Sequence, residues 1–343
     1  MNPLLDSLGI TNPVLAAPMA GGATTPELVI SAGEAGSLGF LASGYTPADA
    51  LAARMAAVRD SGVAFGVNLF APNPVPISAG EFASYARRLQ ADADVFGLDL
   101  STSSPLDDDD DWQNKLDVLL SDPVPAVSFT FGIPSTEVIA ALKRAGSRII
   151  QTITSVDEAK QAAEAGVDAL VVQSWEAGGH SGTLTPNLLP LPIPLADLVA
   201  SVSQAVTIPL IAAGGISSAG DVAVALRSGA SAVSVGTALL RANESGASSA
   251  HRAALADPAF AGTAITRAFT GRPARGLYNG FMIAHSDEAP LGYPAVHHLT
   301  SPLRKAAAAA GDTQRMHLWA GTGFASAEAG PVEDILNGLA AGA

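Results

Sequence analysis

One histidine, His180, stands where its side chain could do acid–base chemistry. It ends the segment EAGGH at residues 176–180, which follows the apolar run 169–173. Histidine titrates close to physiological pH and can remove or return a proton, and the preceding Gly178 and Gly179 would let the loop lie against a flat ligand. A lone histidine beside a strand is more often structural than catalytic, so the surrounding elements must decide between the two interpretations.

Two other apolar runs end in small residues that suit a phosphate group. Gly214 and Gly215 follow the run 210–213. The end of the run that starts at residue 232 is formed by Ser234, Val235, Gly236 and Thr237. Small residues leave backbone N–H groups accessible, and the helix that follows adds the positive end of its dipole. The pattern predicts an anion site, which suits a phosphorylated cofactor and a phosphorylated substrate equally well.

Two more strand ends carry residues that could contact a flat ligand. Pro18 and Met19 precede a pair of glycines, and paired glycines allow close approach of the main chain, although a simple turn would use the same residues. Asn68 lies inside the apolar run 64–69, where its amide could pair with a donor and an acceptor on one heterocycle or could cap a loop.

The elements that position these residues follow a repeat of strand and helix. Strand-like runs occur at residues 14–18, 38–42, 64–69, 126–131, 148–152, 169–173, 210–213 and 232–235. Alternation of such runs with helical patterns is typical of βα units around a parallel sheet. Eight units close most economically into a barrel, although an open doubly wound sheet shares much of the local pattern. We therefore predict an α/β fold, a (β/α)8 TIM barrel with its active site at the carboxyl ends of the strands.

Helix boundaries in the repeat have their own signals. Thr25 and Thr46 each precede a proline and predict helix starts, while Ser155 and Ser218 begin sequences that resemble capping boxes. The helices are expected to end at glycines just before the next strand, where a left-handed residue is needed, at Gly36, Gly62, Gly146, Gly166 and Gly229.

Two segments interrupt the repeat. We predict a barrel formed by residues 1–241 and 319–343, with an insertion at 71–125 after the third strand and a mainly helical cap at 242–318. The insertion contains a predicted helix at 81–91 and the acidic run 107–111, which we interpret as a solvated loop or helix start.

Composition excludes several function classes. The formal net charge of −14 argues against nucleic acid and anionic membranes as partners, and the absence of cysteine excludes disulfides, thiolate nucleophiles and Cys-ligated metals. No apolar run reaches the length of a bilayer span, and we expect a soluble, cytoplasmic protein that acts on a small molecule. The composition leaves a homo-oligomer open.

Several segments taken together resemble the nitronate monooxygenase family, formerly called 2-nitropropane dioxygenase. They are APMAGG at residues 17–22, GVN at 66–68, EAGGH at 176–180, AGGI at 213–216, GRPARG at 271–276 and WAGTG at 319–323. The similarity extends over almost the whole chain. The histidine segment alone is also similar to that of FMN-dependent enoyl-acyl-carrier-protein reductases.

The resemblance implies non-covalently bound FMN and the oxidation of alkyl nitronates by molecular oxygen to a carbonyl compound and nitrite. His180 matches the family's catalytic base, which a neutral nitroalkane would require. The expected cofactor-binding residues are Pro18, Met19, Asn68, Gln173, Gly178, Gly214, Gly215, Ser234, Val235, Gly236 and Thr237. Thr130 replaces a histidine that many relatives carry, so the resemblance does not imply a second catalytic histidine and leaves a different substrate open.

Two alternatives stay open at the level of sequence. One is an NAD(P)H-dependent FMN reductase of enoyl thioesters or quinones, and the other is a non-redox barrel that binds a phosphorylated ligand. We expect no catalytic metal, because the remaining histidines all follow the barrel without a compact ligand motif, and we interpret His297 and His298 as a pair on the cap surface. Tyr278, Tyr293 and the arginines Arg272 and Arg275 could line the entrance or brace the cap.

Overall fold

A closed parallel barrel is the centre of the molecule. The computed structural model describes residues 3–343, which form eleven strands: β1 (Val14–Ala16), β2 (Gly39–Ala42), β3 (Phe65–Phe70), β4 (Ala126–Thr130), β5 (Arg148–Ile153), β6 (Ala169–Gln173), β7 (Gly179–His180), β8 (Leu210–Ala213), β9 (Ala232–Val235), β10 (Thr263–Thr266) and β11 (Ala274–Leu277). The barrel order is β1-β2-β3-β4-β5-β6-β8-β9, and β9 pairs with β1 to close it. The predicted (β/α)8 TIM barrel is confirmed, and every predicted strand is present with its bounds shifted by at most two residues.

Helices surround the barrel and also form the regions outside it. They are α1 (Pro3–Leu8), α2 (Pro26–Glu34), α3 (Ala48–Arg59), α4 (Ala79–Asp94), α5 (Trp112–Ser121), α6 (Thr136–Ala145), α7 (Val156–Glu164), α8 (Leu195–Ala205), α9 (Ala219–Arg227), α10 (Ser249–Ala254), α11 (Gly280–His285), α12 (Ala295–Ala310) and α13 (Val332–Ala340). The main core lies between the barrel and its outer helices, and a smaller cluster that includes Phe40, Ile150 and Ile211 fills the barrel interior. No helix formed by residues 3–343 is long and apolar enough to cross a membrane.

Most of the predicted helix boundaries are present. Thr25, Ser155 and Ser218 are N-caps whose hydroxyls accept a backbone N–H from the first turn. The prediction for Thr46 is wrong, because Pro47 is the N-cap of α3 and Asp111 Oδ2 accepts the N–H of Ala48 instead. The predicted helix-ending glycines all have positive φ, between 70° and 112°, as expected where a helix turns back into a strand.

The cap combines helices with a small antiparallel sheet. Strands β10 and β11 pair with each other, and β11 also pairs with β7, the two-residue strand that contains His180. Helix α12 packs against α4 of the segment after β3, and Leu299 and Leu303 share a core cluster with Phe82 and Leu89. The loop of His180 is therefore held by the barrel at one end and by the cap sheet along its length.

The acidic run is more ordered than we predicted from its composition. Asp110 and Asp111 are partly buried rather than solvated, and both have positive φ. Asp110 lies 2.7 Å from the Lys115 ammonium and accepts the N–H of Tyr45 at 2.7 Å. Residues 107–109 are exposed and Asp111 is the N-cap of α5, as expected for a solvated loop or helix start. Asp110 differs from that expectation, because it pairs with a buried lysine that the sequence pattern does not predict.

Candidate active site

A cavity of about 880 Å³ opens at the carboxyl ends of the barrel strands. This volume lies in the range typical of sites for cofactors and small molecules. The twelve residues that the sequence predicts for the site all line it: Pro18, Met19, Asn68, Gln173, Gly178, His180, Gly214, Gly215, Ser234, Val235, Gly236 and Thr237. The fold thus brings together residues that are more than 200 positions apart in the chain.

His180 is held in a defined orientation. Its Nε2 lies 2.9 Å from the hydroxyl oxygen of Thr270, and that hydroxyl donates to the carbonyl of Arg272 at 3.3 Å. A hydroxyl has one proton, so Thr270 accepts from Nε2–H of His180. The same network leaves Nδ1 of His180 without a proton. Among residues 3–343, this nitrogen is not one of the fully buried side-chain atoms that lack a hydrogen-bond partner.

The surroundings of His180 keep its ring neutral. Burial, followed by the positive charges of Arg272 and Arg304, lowers the pKa of His180 to about 3. The ring packs edge to face against Phe131 and Tyr293, with centroids 5.7 and 5.9 Å away. The imidazole is therefore in its unprotonated, basic form throughout the physiological pH range.

Gly-rich backbone forms the opposite wall. Gly214 and Gly215 have φ of 105° and 75°, and a Cβ at Gly214 would lie 2.6 Å from the Ser174 hydroxyl. A short 3-10 helix, Thr237–Leu239, begins directly after β9 with Gly236 at its N-cap. The first N–H groups of such a turn have no acceptor within it, and they point outward from its N-terminal end. This wall can accommodate an anionic group against the main chain.

Asn68 lies near the end of β3, beside Thr130 at the end of β4. Its amide N–H groups donate to the Ser128 hydroxyl at 2.9 Å and to the Thr130 hydroxyl at 3.1 Å. These bonds fix the amide and leave Oδ1 as an acceptor at the cavity. Thr130 thus orients Asn68 and offers no titratable group.

Gln173 braces the loop of His180. Its Nε2 donates to the carbonyl of His180 at 3.2 Å, and its Oε1 accepts the N–H of Gly182 at 2.7 Å. Glu158, buried at the start of α7, holds the next part of the loop by accepting the N–H of Leu184 at 2.7 Å. The histidine is consequently fixed by its backbone as well as by its ring.

The roof of the cavity contains residues that the sequence pattern does not associate with the site. Tyr45, in the loop after β2, stacks on His297 with ring centroids 4.0 Å apart. His297 is only 8% exposed, so its assignment to the cap surface is wrong. It lies on the inner face of α12, whereas His298 is partly exposed and pairs with Asp108 at 2.9 Å.

Two buried arginines give the inner cavity a positive potential. Arg304 lines it, and Arg272 packs behind it with its guanidinium 4.0 Å from the centre of the Phe131 ring. Burial lowers the pKa of each guanidinium to about 10, which still leaves both charged at neutral pH. Neither arginine lies within 4.0 Å of a carboxylate among residues 3–343. The lining carboxylates belong to the acidic run near the entrance.

The sequence also suggests that Arg275, Tyr293 and Tyr278 line the entrance or brace the cap, and the structure places each of them in a different environment. Arg275 braces the loop of His180, because its Nε donates to the carbonyl of Trp175 at 2.8 Å and its guanidinium lies over that residue's ring. Tyr293 is buried beside His180, but Tyr278 is 50% exposed and does not line the cavity. Within residues 3–343 no group of three His, Cys, Asp or Glu side chains is arranged to hold a metal ion.

Comparison with known proteins assigns this arrangement to a family. The family model of nitronate monooxygenase matches residues 2–342. The chain is 36% identical to a probable nitronate monooxygenase from Staphylococcus aureus (strain Newman), over 98% of this chain and 96% of that protein. This chain belongs to the nitronate monooxygenase family.

Solved structures agree with the assignment. The crystal structure of nitroalkane oxidase from Streptomyces ansochromogenes is 46% identical and superposes with a TM-score of 0.91 over 98% of this chain and 96% of that one. FabK from Thermotoga maritima is more distant, with 27% identity and a TM-score of 0.76 over 99% and 94%. The chain is therefore an oxidoreductase of a family of flavoenzymes that in general oxidises nitronates.

The sequence prediction missed four residues of this nitronate monooxygenase family site, namely Tyr45, Thr270, His297 and Arg304. Tyr45 had a usable signal, because it follows a barrel strand and barrel active sites are built from such positions. The other three lie in the cap, where no strand end marks them. Only the packing of the cap onto the barrel brings His297 and Arg304 to the cavity and Thr270 to His180.

Proposed function

We propose that this protein oxidises alkyl nitronates with bound FMN and molecular oxygen, giving a carbonyl compound and nitrite, and that His180 serves as the base when the substrate is a neutral nitroalkane. The observation that carries the proposal is the free Nδ1 of His180 inside a cavity that also contains Arg304 and the glycine-rich strand ends. A negatively charged, planar substrate suits this combination.

The residues present fit a flavin phosphate and ring. The strand ends at Gly214, Gly215 and Gly236 lack side chains, and the Cβ that a larger residue would add at Gly214 collides with Ser174 and Ala177. Backbone N–H groups at the start of Thr237–Leu239 would hold the phosphate, and Oδ1 of Asn68 offers an acceptor to a ring N–H. When bound, the flavin supplies the redox chemistry and the protein supplies orientation and electrostatics.

The chain's own residues account for the proton transfer. Thr270 fixes the tautomer in which Nδ1 of His180 can take the proton next to the nitro group. The imidazolium that forms would be disfavoured by burial and by the two arginines, but the nitronate carries a compensating negative charge. A substrate that arrives already as a nitronate needs no such proton transfer, so the two substrate forms use His180 differently.

The test is an anaerobic titration of the FMN-loaded protein with ethyl nitronate and, separately, with NADH and NADPH, followed by flavin absorbance. We expect ethyl nitronate to bleach the flavin and air to restore it, with nitrite formed. Bleaching by reduced nicotinamide but not by the nitronate would replace the proposal with the NAD(P)H-dependent reductase. Protein that contains no flavin and cannot take it up would favour a non-redox phosphate-binding barrel.

A further inference from the structure

The inner face of α12 carries His297 and Arg304 beside Tyr45 from the loop after β2. We refer to these three residues as the Arg304 subsite. All three line the cavity, and none is on a barrel strand. We propose that the Arg304 subsite binds a planar oxyanion, the nitronate O–N–O group or a carboxylate O–C–O group of the substrate.

Arg304 is a buried cation whose charge is not neutralised. It is 5% exposed, yet it lies beyond 4.0 Å from every carboxylate of residues 3–343. Its Nε donates to the Thr300 hydroxyl at 3.0 Å, and its Nη2 donates to the carbonyl of His297 at 2.9 Å and to Nδ1 of the same residue at 3.2 Å. These contacts fix the guanidinium and leave Nη1 free to donate into the cavity.

The same contacts determine which nitrogen of His297 can bind a ligand. Because an arginine N–H can only donate, Nδ1 of His297 is the acceptor and its proton is on Nε2. The stacking of His297 on Tyr45 holds the imidazole plane in place. His297 therefore presents a second fixed N–H donor beside the guanidinium.

Tyr45 adds a third donor to the subsite. Its hydroxyl accepts from the Tyr293 hydroxyl at 3.3 Å, so its own proton is available. The carboxylates of the acidic run do not fill the subsite, since Asp110 is paired with Lys115 and Asp108 with His298. Three donors, one positive charge and no carboxylate match a planar anion with two oxygens.

His180 lies close enough to feel the charge of the subsite. Arg304 is among the causes that lower the pKa of His180, and Tyr293 contacts the rings of both His180 and His297. An anion held at Arg304 would therefore lie in the same cavity as His180. The choice of the nitronate group as the anion rests on the proposed function, but the subsite itself can be tested by binding alone.

The experiment measures binding of sodium nitrite, butyrate and the uncharged butyramide to the FMN-loaded protein, by calorimetry and by the flavin difference spectrum. We expect wild type to bind both anions but not butyramide. Arg304→Met should weaken both anions by about 10- to 100-fold, which corresponds to loss of one charged hydrogen-bonding partner. Arg304→Lys should recover part of the affinity. Arg87→Met removes the same charge from an exposed residue of α4 that does not line the cavity and should change affinity less than about threefold.

His297→Phe guards the test against misfolding of the arginine variants, because it keeps a ring beside Tyr45 and removes the Nε2–H donor. It should weaken anion binding about tenfold. Anion affinity that is unchanged in Arg304→Met, or unchanged in His297→Phe where Arg304→Met does not fold, overturns the proposal. So does a wild type that binds neither anion.

Competition identifies the source of the oxyanion. If Arg304 holds the nitronate group, butyrate competes with ethyl nitronate and Arg304→Met raises the KM for that substrate. If it holds a second acidic group of the substrate, butyrate binds without competing and Arg304→Met spares ethyl nitronate. Arg304-dependent anion binding without nitronate oxidation would contradict the proposed function and leave the subsite standing.

Discussion

His180 is the residue whose role depends most directly on its neighbours. We expect His180→Asn to lower kcat/KM for neutral nitroethane by about 10² to 10⁴, the usual contribution of a positioned general base. Ethyl nitronate needs no proton abstraction, so its oxidation should fall by less than about tenfold. Steady-state nitrite formation from the two substrates checks this. Equal losses on both substrates would contradict the assignment of His180 as the base.

Thr270 acts on the reaction through the tautomer of His180. Thr270→Val keeps the shape of the side chain and removes the oxygen that accepts from Nε2–H. We expect it to lower nitroethane turnover by about 10-fold or more while ethyl nitronate oxidation stays near wild type, since a neutral imidazole would then populate both tautomers. Thr270→Ser retains the hydroxyl oxygen and is the matched control.

A tautomer effect has a spectroscopic signature that a packing defect does not. In ¹⁵N-labelled wild type and Thr270→Ser, the Nε2 resonance of His180 should be that of a protonated nitrogen and Nδ1 that of an unprotonated one. Mixed tautomers are expected in Thr270→Val. If the tautomer does not change in Thr270→Val, Thr270 does not set the protonation of His180.

At the scale of elements, the loop of His180 depends on a close approach between backbones. A Cβ at Gly178 would lie 2.6 Å from the backbone of Ala320 and Gly321. Gly178→Ala should therefore displace the loop, reduce flavin retention and cost about 1–3 kcal/mol of unfolding free energy. Gly80→Ala in α4 meets no atom within 4 Å, and it should be neutral or slightly stabilising. Flavin content after gel filtration and urea unfolding would distinguish the two.

A buried ion pair inside the insertion bonds to the backbone of the loop after β2. Lys115 of α5 is 1% exposed, contacts Asp110 at 2.7 Å and donates to the carbonyl of Ser43. Lys115→Met leaves the buried carboxylate without its partner, which should cost about 3–5 kcal/mol. Arg59→Met breaks an exposed pair with Asp122 and should cost less than about 1 kcal/mol. Similar losses in urea unfolding for the two variants would contradict the importance of the buried pair.

For the whole molecule, the buried histidines predict how stability depends on pH. Burial lowers the pKa of His180 to about 3 and of His251 to about 4, and it lowers the pKa values of His297 and His317 as well. These groups are neutral in the native state, so the unfolded chain, with histidine pKa values near 6.5, binds more protons as the pH falls. Asp110 opposes the trend, because burial raises its pKa to about 6.

We expect the free energy of unfolding to fall by at least about 2 kcal/mol between pH 7 and pH 5. Urea unfolding at equal flavin saturation measures it. His251→Gln retains an N–H donor for the carbonyl of Trp319 and removes one titrating group, so its stability should fall less steeply. A stability that is constant from pH 7 to pH 5, or a slope that is unchanged in His251→Gln, would contradict the explanation.

The sequence alone determined the barrel and the strand-end part of the site. Strand and helix signals are local, since they depend on apolar periodicity, capping hydroxyls and glycines such as Gly146 and Gly229. In a parallel barrel the carboxyl ends of all strands meet at one face, so predicting the strands also brought His180, Asn68 and Gly215 to one cavity.

Only the tertiary structure decided the part of the site that comes from the cap. Arg304 and His297 lie on a helix whose inner face is set by packing against α4, and no local pattern shows which of His297 and His298 points inward. The pairing of Asp110 in the acidic run was missed for the same reason, because its partners Lys115 and Tyr45 are fixed by contacts between elements. Charge and polarity in a sequence do not reveal burial, and burial decides whether such a residue is a solvated surface group or a binding group.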